Sequence, residues 1–142
     1  MSEESTTPNL VELARLSFQP AKSRNFDAMM AFWADDPVWD LSPMGLGIYR
    51  GTAAVRGFFE DWLGSYEAFD VELEECRDVG NGVVFNVVAQ RGSLAGSSGE
   101  VTTRYASIAV WENALIVNVT NYPDIDQAQA RADADRLAKE RE

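Results

Sequence analysis

The spacing of apolar residues changes from a helical period to a strand period near residue 69, and this change limits the folds open to the chain. Before it, the clearest apolar stripe falls at i, i+3, i+4, i+7, i+8 and i+11, namely Val55, Phe58, Phe59, Trp62, Leu63 and Tyr66. After it, Phe69, Val71 and Leu73 alternate with acidic residues, as in a strand with one solvated face. Helices followed by consecutive strands predict an α+β domain whose helices cover one face of a curved antiparallel sheet.

Three helices are predicted before the sheet and one after it. Pro20 is expected to end or kink the first helix because proline removes a backbone donor. Asn25 is placed to cap a second helix that carries Trp33 and stops at Pro37. The third helix carries the apolar stripe. Asp124 is placed to cap the last helix.

Turn residues divide the second half of the chain into strands. Gly80-Asn81-Gly82 is a hairpin signal that leads into a strand over 83–91, and further strands are predicted over 101–111 and 115–122. Both alternating residue sets of these strands contain apolar members. A sheet that is apolar on both faces predicts that one face packs on a second copy of the chain, as a homodimer with two-fold symmetry.

The charge balance excludes several kinds of partner. Acidic residues number 23 and basic residues 12, and the net charge of −11 repels nucleic acid and anionic membrane surfaces. No apolar run approaches the roughly 18 residues of a membrane span. The polar start lacks a secretory signal, so a cytoplasmic location is expected. With one cysteine and no histidine, a Cys/His zinc site is excluded, and neither metal nor cofactor is predicted.

Asp40 is the strongest candidate for chemistry because it follows Trp39 and precedes Leu41. A carboxylate held among apolar side chains resists ionisation, so its pKa is expected to rise toward the range useful for proton transfer. A solvated acid at the end of a short strand is the alternative interpretation. The sequence leaves both open.

Three stretches, residues 32–40, 49–59 and 114–124, resemble SnoaL-like members of the nuclear transport factor 2-like superfamily. The resemblance extends over about 10–137. It implies a cone, in which a strongly curved sheet wraps on the three N-terminal helices around a mostly apolar pocket. The expected organisation is a flexible start at 1–8, a SnoaL-like domain at 9–137 and a frayed tail at 138–142.

The resemblance places Asp40 where the ketosteroid-isomerase branch carries its general base. The approximate counterparts of that branch's two proton donors are Ser17 and Ser107, which are weaker donors than a tyrosine and a protonated acid. Scytalone-dehydratase-like sites rely on histidine, and this chain has none.

Two further branches of the superfamily differ in the acids that they use. The charged set of the epoxide-hydrolase branch falls near Asn86, Val88 and Asn121, none of which carries a charge, so that mechanism is rejected. The acid of the polyketide-cyclase branch corresponds to Asn121 or to Asp124. Asp124 also has a structural explanation as a helix cap.

The predicted pocket combines a few polar groups with aromatic walls. If Asn121 faces the cavity, strand alternation brings Asn86, Ser107 and Val119 to the same side. The aromatic residues predicted nearest to it are Trp39, Tyr49, Trp62 and Tyr105.

Three functions compete on this evidence. The first is an isomerase or cyclase that acts on a small hydrophobic carbonyl compound, with Asp40 as general base. The second is a non-catalytic module that binds a small hydrophobic molecule, and the third is a dimerisation domain with a collapsed pocket.

Overall fold

The computed structural model describes residues 9–94, 96 and 99–142, so the predicted flexible start at 1–8 lies outside the described residues. The first half of the chain forms α1 (Leu10–Ser23), α2 (Phe26–Met30), β1 (Trp33–Asp40), β2 (Ile48–Arg50) and α3 (Thr52–Gly64). The second half forms β3 (Tyr66–Gly80), β4 (Val83–Leu94), β5 (Val101–Glu112), β6 (Leu115–Pro123) and α4 (Gln127–Glu140). In the described chain, no helix is both long enough and apolar enough to cross a membrane.

The sheet has the strand order β2-β1-β6-β5-β4-β3. Neighbouring strands are antiparallel except β1 and β6, which run parallel, so the sheet is mixed where a purely antiparallel sheet was predicted. The register between β3 and β4 shifts at three places. Such irregularities bend and twist strands, which curves the sheet around the N-terminal helices. The predicted α+β architecture is confirmed.

The first helix ends later than predicted and the second ends earlier. Pro20 lies inside α1, which continues to Ser23 and ends at a left-handed Arg24, where the Asn25 amide donates to the Pro20 carbonyl at 3.1 Å. Helix α2 stops at Met30, and both Trp33 and Pro37 belong to β1. The prediction of a helix up to Pro37 is therefore wrong. The register of β1 against β6 shifts between Trp33 and Val38, and this irregularity accommodates a proline that cannot donate to the ladder.

The hairpin between β3 and β4 forms at the predicted place. Asn81 and Gly82 both have positive φ angles, of 55° and 83°. A Cβ atom on Gly82 would clash with the carbonyl oxygen of Trp111. The Asn81 side chain donates to the Ala138 carbonyl at 2.6 Å, which ties this turn to the end of α4.

Helix α4 begins after a short 3-10 turn at Asp124–Asp126, so Asp124 does not cap it as predicted. Its carboxylate accepts instead from the Gln127 side chain at 2.8 Å and pairs with Arg104 at 3.2 Å. The helix continues to Glu140, and Ala138 is buried within it.

The outer face of the sheet, defined here as the face that α4 covers, is one of the two apolar faces from which a homodimer was predicted. Three alanines of α4, Ala130, Ala134 and Ala138, pack on the sheet. Their partners on β4 and β5 are Val83, Phe85, Val87, Ala106, Ile108 and Val110. The second apolar face thus packs on the chain's own helix. An apolar face that α4 covers does not need a second copy of the chain, so the homodimer stays a prediction.

Candidate functional site

The inner face of the sheet, defined as the face turned toward α1 and α3, encloses a cavity that we call the first compartment. The volume of this compartment is ≈ 80 Å³. All four tryptophans of the chain line it, namely Trp33, Trp39, Trp62 and Trp111. Among the described residues, no charged side chain lines this compartment.

Trp39 lies at the centre of the aromatic wall. Its ring centroid is 4.6 Å from that of Phe59, 5.1 Å from Phe58 and 5.7 Å from Trp33. The helical spacing of the apolar stripe places Phe58, Phe59 and Trp62 on the side of α3 that faces β1. This spacing therefore supplies the aromatic wall as well as core packing.

A row of buried polar side chains crosses the sheet on this face. Asn86, Ser107 and Asn121 lie directly opposite one another on β4, β5 and β6. The Asn86 amide donates to the Ser107 hydroxyl at 3.3 Å. The Trp39 indole N–H donates to the Asn121 side-chain oxygen, also at 3.3 Å.

Two polar atoms of the first compartment lack partners. The side-chain oxygen of Asn86 and the indole N–H of Trp111 make no hydrogen bond within the described part of the chain. The two residues are only 2% and 3% exposed. A buried polar group without a partner destabilises the fold by about 1–3 kcal/mol, so a bound molecule that supplies the missing partner gains affinity.

A second compartment adjoins the first and offers ≈ 180 Å³ by the same measure. Four side chains line both compartments and so lie between them, namely Trp39, Trp62, Tyr105 and Asn121. Leu41, Met44 and Leu46 line the second compartment near β2. Its lining includes Gln90, whose side-chain oxygen is buried and has no partner among the described residues.

Tyr105 has a titratable side chain and lines both compartments in the described part of the chain. Burial raises its pKa well above the ordinary value for tyrosine. The phenol therefore stays neutral near pH 7 and keeps its proton as a hydrogen-bond donor. No group of three or more His, Cys, Asp or Glu able to hold a metal occurs among the described residues.

Asp40 does not line either compartment. Its carboxylate accepts from the Ser42 amide at 2.9 Å, at the start of a 3-10 turn. Trp39 points inward, so strand alternation turns Asp40 toward the outer face. The Tyr122 hydroxyl lies on that side. Burial and the hydrogen bond to Asp133 raise the pKa of Tyr122 to about 12, with smaller contributions from nearby charges that include Asp40.

The structure brings together most of the predicted ligand-binding residues. Those that line the first compartment are Trp39, Trp62, Asn86, Tyr105, Val119 and Asn121. Tyr49 stacks on Phe58 with the ring centroids 4.7 Å apart and lies outside both linings. Ser107 is buried beside Asn86 and contacts it without lining the cavity.

The sequence analysis missed many of the lining residues, and three of them bear most on the polar and aromatic character of the site. Gln90 follows Asn86 by four positions on β4, so alternation places both on one face. Trp111 follows Ser107 by four positions on β5 in the same way, despite an irregularity beside it. Both could have been found by extending the alternation. Trp33 was missed because it was assigned to a helix.

Comparisons with known proteins agree with this architecture. Residues 15–119 match the family model of the SnoaL-like domain. No curated protein matches the sequence.

Solved structures with similar folds share little sequence with this chain. A nuclear transport factor 2-like protein from Burkholderia pseudomallei is 19% identical with a TM-score of 0.70, covering 86% of this chain and 95% of that chain. The Mycobacterium tuberculosis protein RV0760c, in complex with estradiol-17β-hemisuccinate, is 18% identical with a TM-score of 0.69, covering 82% and 94%. An LEH-like epoxide hydrolase from M. tuberculosis is 14% identical with a TM-score of 0.67, covering 87% of this chain and 90% of that chain. With a family model matched over most of its length, the chain belongs to the SnoaL-like family and has the nuclear transport factor 2-like fold.

Proposed function

We propose that this protein binds a small, uncharged, hydrophobic molecule between its helices and the inner face of its sheet. One observation carries the proposal: all four tryptophans surround a single cavity whose described lining contains no charged side chain. Pockets for small molecules combine a mostly apolar wall with a few well-placed polar groups. The aromatic wall and the unpaired groups of Asn86 and Trp111 fit this description.

The absence of charge from the described lining favours a neutral ligand. A carboxylate or ammonium group that enters an apolar cavity loses its hydration, and that loss is costly without an opposite charge. A neutral ring compound loses little hydration and gains dispersion contacts with the aromatic wall. The steroid rings of the estradiol-17β-hemisuccinate bound to RV0760c support a hydrophobic ring compound, at the level of a shared fold, whereas its carboxylate gives no support for a neutral ligand.

A second candidate function is catalysis by Asp40 acting as general base on a carbonyl compound, in the manner of an isomerase or a cyclase. The position of Asp40 at the end of β1, where the resemblance places such a base, favours it. The geometry gives it less support, because the Asp40 carboxylate binds the Ser42 amide and lies outside the described linings. The third alternative, a dimerisation domain with a collapsed pocket, is disfavoured by the open volume of both compartments.

Tryptophan fluorescence tests the binding proposal, since every tryptophan lines the first compartment. The matched ligands are 4-hydroxybiphenyl, which is neutral at pH 7, and biphenyl-4-carboxylate, which is charged. The neutral compound is expected to change the emission, raise Tm and bind at least about tenfold more tightly than the carboxylate. Failure of 4-hydroxybiphenyl to bind, or equal affinity of the two compounds, would contradict the proposal.

Proton exchange separates binding from catalysis. The protein is incubated in D2O with 2-tetralone, and incorporation of deuterium next to the carbonyl is followed by NMR. Deuterium exchange that is faster than the background rate, and that falls to the background rate in Asp40→Asn, would establish the second function. Exchange at the background rate, with the ketone bound, would leave binding as the function for this class of ligand.

A further inference from the structure

We propose that the two compartments act as one site for an elongated, uncharged molecule that carries a hydrogen-bond donor at each end. The inference rests on the proposed function and specifies its ligand class. It follows from three features of the site: the partition between the compartments, their volumes and the unpaired oxygens within them.

The partition between the compartments is made of side chains that are linked by one long hydrogen bond. Trp39, Trp62, Tyr105 and Asn121 line both compartments. The hydrogen bond that joins Trp39 to Asn121 is 3.3 Å long, beyond the usual range for an N–H donor and an oxygen acceptor. Separation of this weakly bonded pair would open the boundary to a ligand that spans both compartments.

Neither compartment alone is large enough to enclose a ligand of two rings. An engineered cavity of about 150 Å³ holds one benzene molecule. By that standard the second compartment, at ≈ 180 Å³, takes about one ring, and the first, at ≈ 80 Å³, takes less. A hydrophobic molecule of two rings is therefore fully buried only if it occupies both compartments.

The unpaired oxygens define the two ends of such a molecule. Asn86 lines the first compartment and Gln90 the second, and each has a buried side-chain oxygen without a partner in the described chain. Four positions on one strand separate the two residues by about 13 Å, with both side chains on the same face. A rigid two-ring diol, with a hydrogen bond at each end, suits this separation. A hydroxyl group also accepts hydrogen bonds, so it fits each amide in either orientation.

The test compares 4-hydroxybiphenyl with 4,4′-dihydroxybiphenyl on three proteins. Gln90→Met keeps the side-chain volume and removes the amide. Gln19→Met is the matched control, because Gln19 is exposed on α1. Affinities are measured by tryptophan fluorescence and by isothermal titration calorimetry.

In the wild type and in Gln19→Met, the second hydroxyl is expected to tighten binding by about tenfold, as a hydrogen bond to a buried unpaired acceptor would. In Gln90→Met the two compounds are expected to bind equally. The inference would be overturned if the second hydroxyl tightened binding equally in Gln90→Met, or if it gave no tightening in the wild type while 4-hydroxybiphenyl still bound. Either result would leave the proposed function standing. Binding of neither compound would overturn both. The wild-type comparison keeps the test decisive if Gln90→Met does not fold.

Discussion

The two faces of one sheet are built from alternating residues of the same strands, yet they are packed in different ways. On the outer face, β4 presents Val83, Phe85 and Val87 to the small side chains of α4, and all are buried. On the inner face, the same strand presents Asn86 and Gln90 to two compartments whose polar groups are not all paired. The outer face is covered by its own chain, with a pocket of ≈ 90 Å³ at its rim beside Arg131. The inner face leaves both space and buried hydrogen-bonding groups unused.

This difference shows how a small domain separates stability from binding. Alanines spaced four residues apart on α4 bring the helix close to the sheet. Large aromatic rings on the inner face keep α3 and β1 apart around a space that a ligand can enter. A core that is filled at one face tolerates unpaired polar groups at the other.

Ion pairing reinforces the outer face at its rim. The Arg131 guanidinium on α4 donates to both carboxylate oxygens of Glu75 on β3, at 2.8 and 2.9 Å. It also lies 4.6 Å from the centroid of the Phe85 ring. This residue joins α4 to two strands at once.

The largest effect is expected on overpacking the outer face. Ala130 is 0% exposed between α4 and the sheet and lines no described cavity, so Ala130→Leu has no room for its larger side chain. The free energy of unfolding should fall by about 1–3 kcal/mol. Ala132→Leu, on the exposed side of the same helix, should change it little. Urea denaturation measures both, and equal stability of the two variants would break the contrast between the faces.

The same substitution on the inner face should alter binding more than stability. Ala109 lines the first compartment from β5, and a leucine at this position occupies the free space. Ala109→Leu is expected to change the free energy of unfolding by less than about 1 kcal/mol and to weaken 4-hydroxybiphenyl at least about tenfold. Ala106→Leu, on the outer face of the same strand, should destabilise the fold instead. Unchanged affinity in Ala109→Leu would place the ligand elsewhere.

The rim of the outer face should show a dependence on pH. Hydrogen bonds from Arg131 hold the pKa of Glu75 below its ordinary value, so the ionised form stabilises the folded state. Because the folded pKa is the lower one, this contribution is complete above the unfolded pKa and is lost as pH falls through the folded pKa. Glu75→Gln should cost about 0.5–1 kcal/mol at pH 7, with a smaller difference from wild type toward pH 3. Glu67→Gln, exposed on β3, serves as the control, and a difference independent of pH would contradict the assignment.

The smallest effect is expected at Asp40. Its carboxylate binds the Ser42 amide and lies outside both linings, so Asp40→Asn should leave the affinity for 4-hydroxybiphenyl within about twofold of the wild type. Calorimetric titration of the two proteins measures this. A marked loss of affinity would place Asp40 in the site and favour the catalytic alternative.

Local patterns in the sequence predict most of the fold. The helical stripe of α3, the alternation of β3 and the glycines around Asn81 each encode a structure through short-range spacing. The parallel pairing of β1 with β6 is not encoded in this way, because it joins segments far apart in the chain. The error at Pro37 has the same origin, since long-range pairing in a sheet overrode the local preference for a helix.

The site could be predicted in part. Alternation brought Asn86 and Asn121 to one face because it depends only on position along a strand. Asp40 was placed in the pocket from its apolar neighbours, but Trp39 and Leu41 are themselves the inward-facing residues, and alternation turns the acid between them away. Coverage of the outer face by α4 depends on tertiary packing that no local pattern reports.

A crystal structure with 4-hydroxybiphenyl bound tests the central claim most directly. The account predicts the rings among Trp33, Trp39, Trp62 and Trp111, with the hydroxyl bonded to a buried amide. A ligand bound on the α4 face or at the surface, with the inner compartments unchanged, would contradict it.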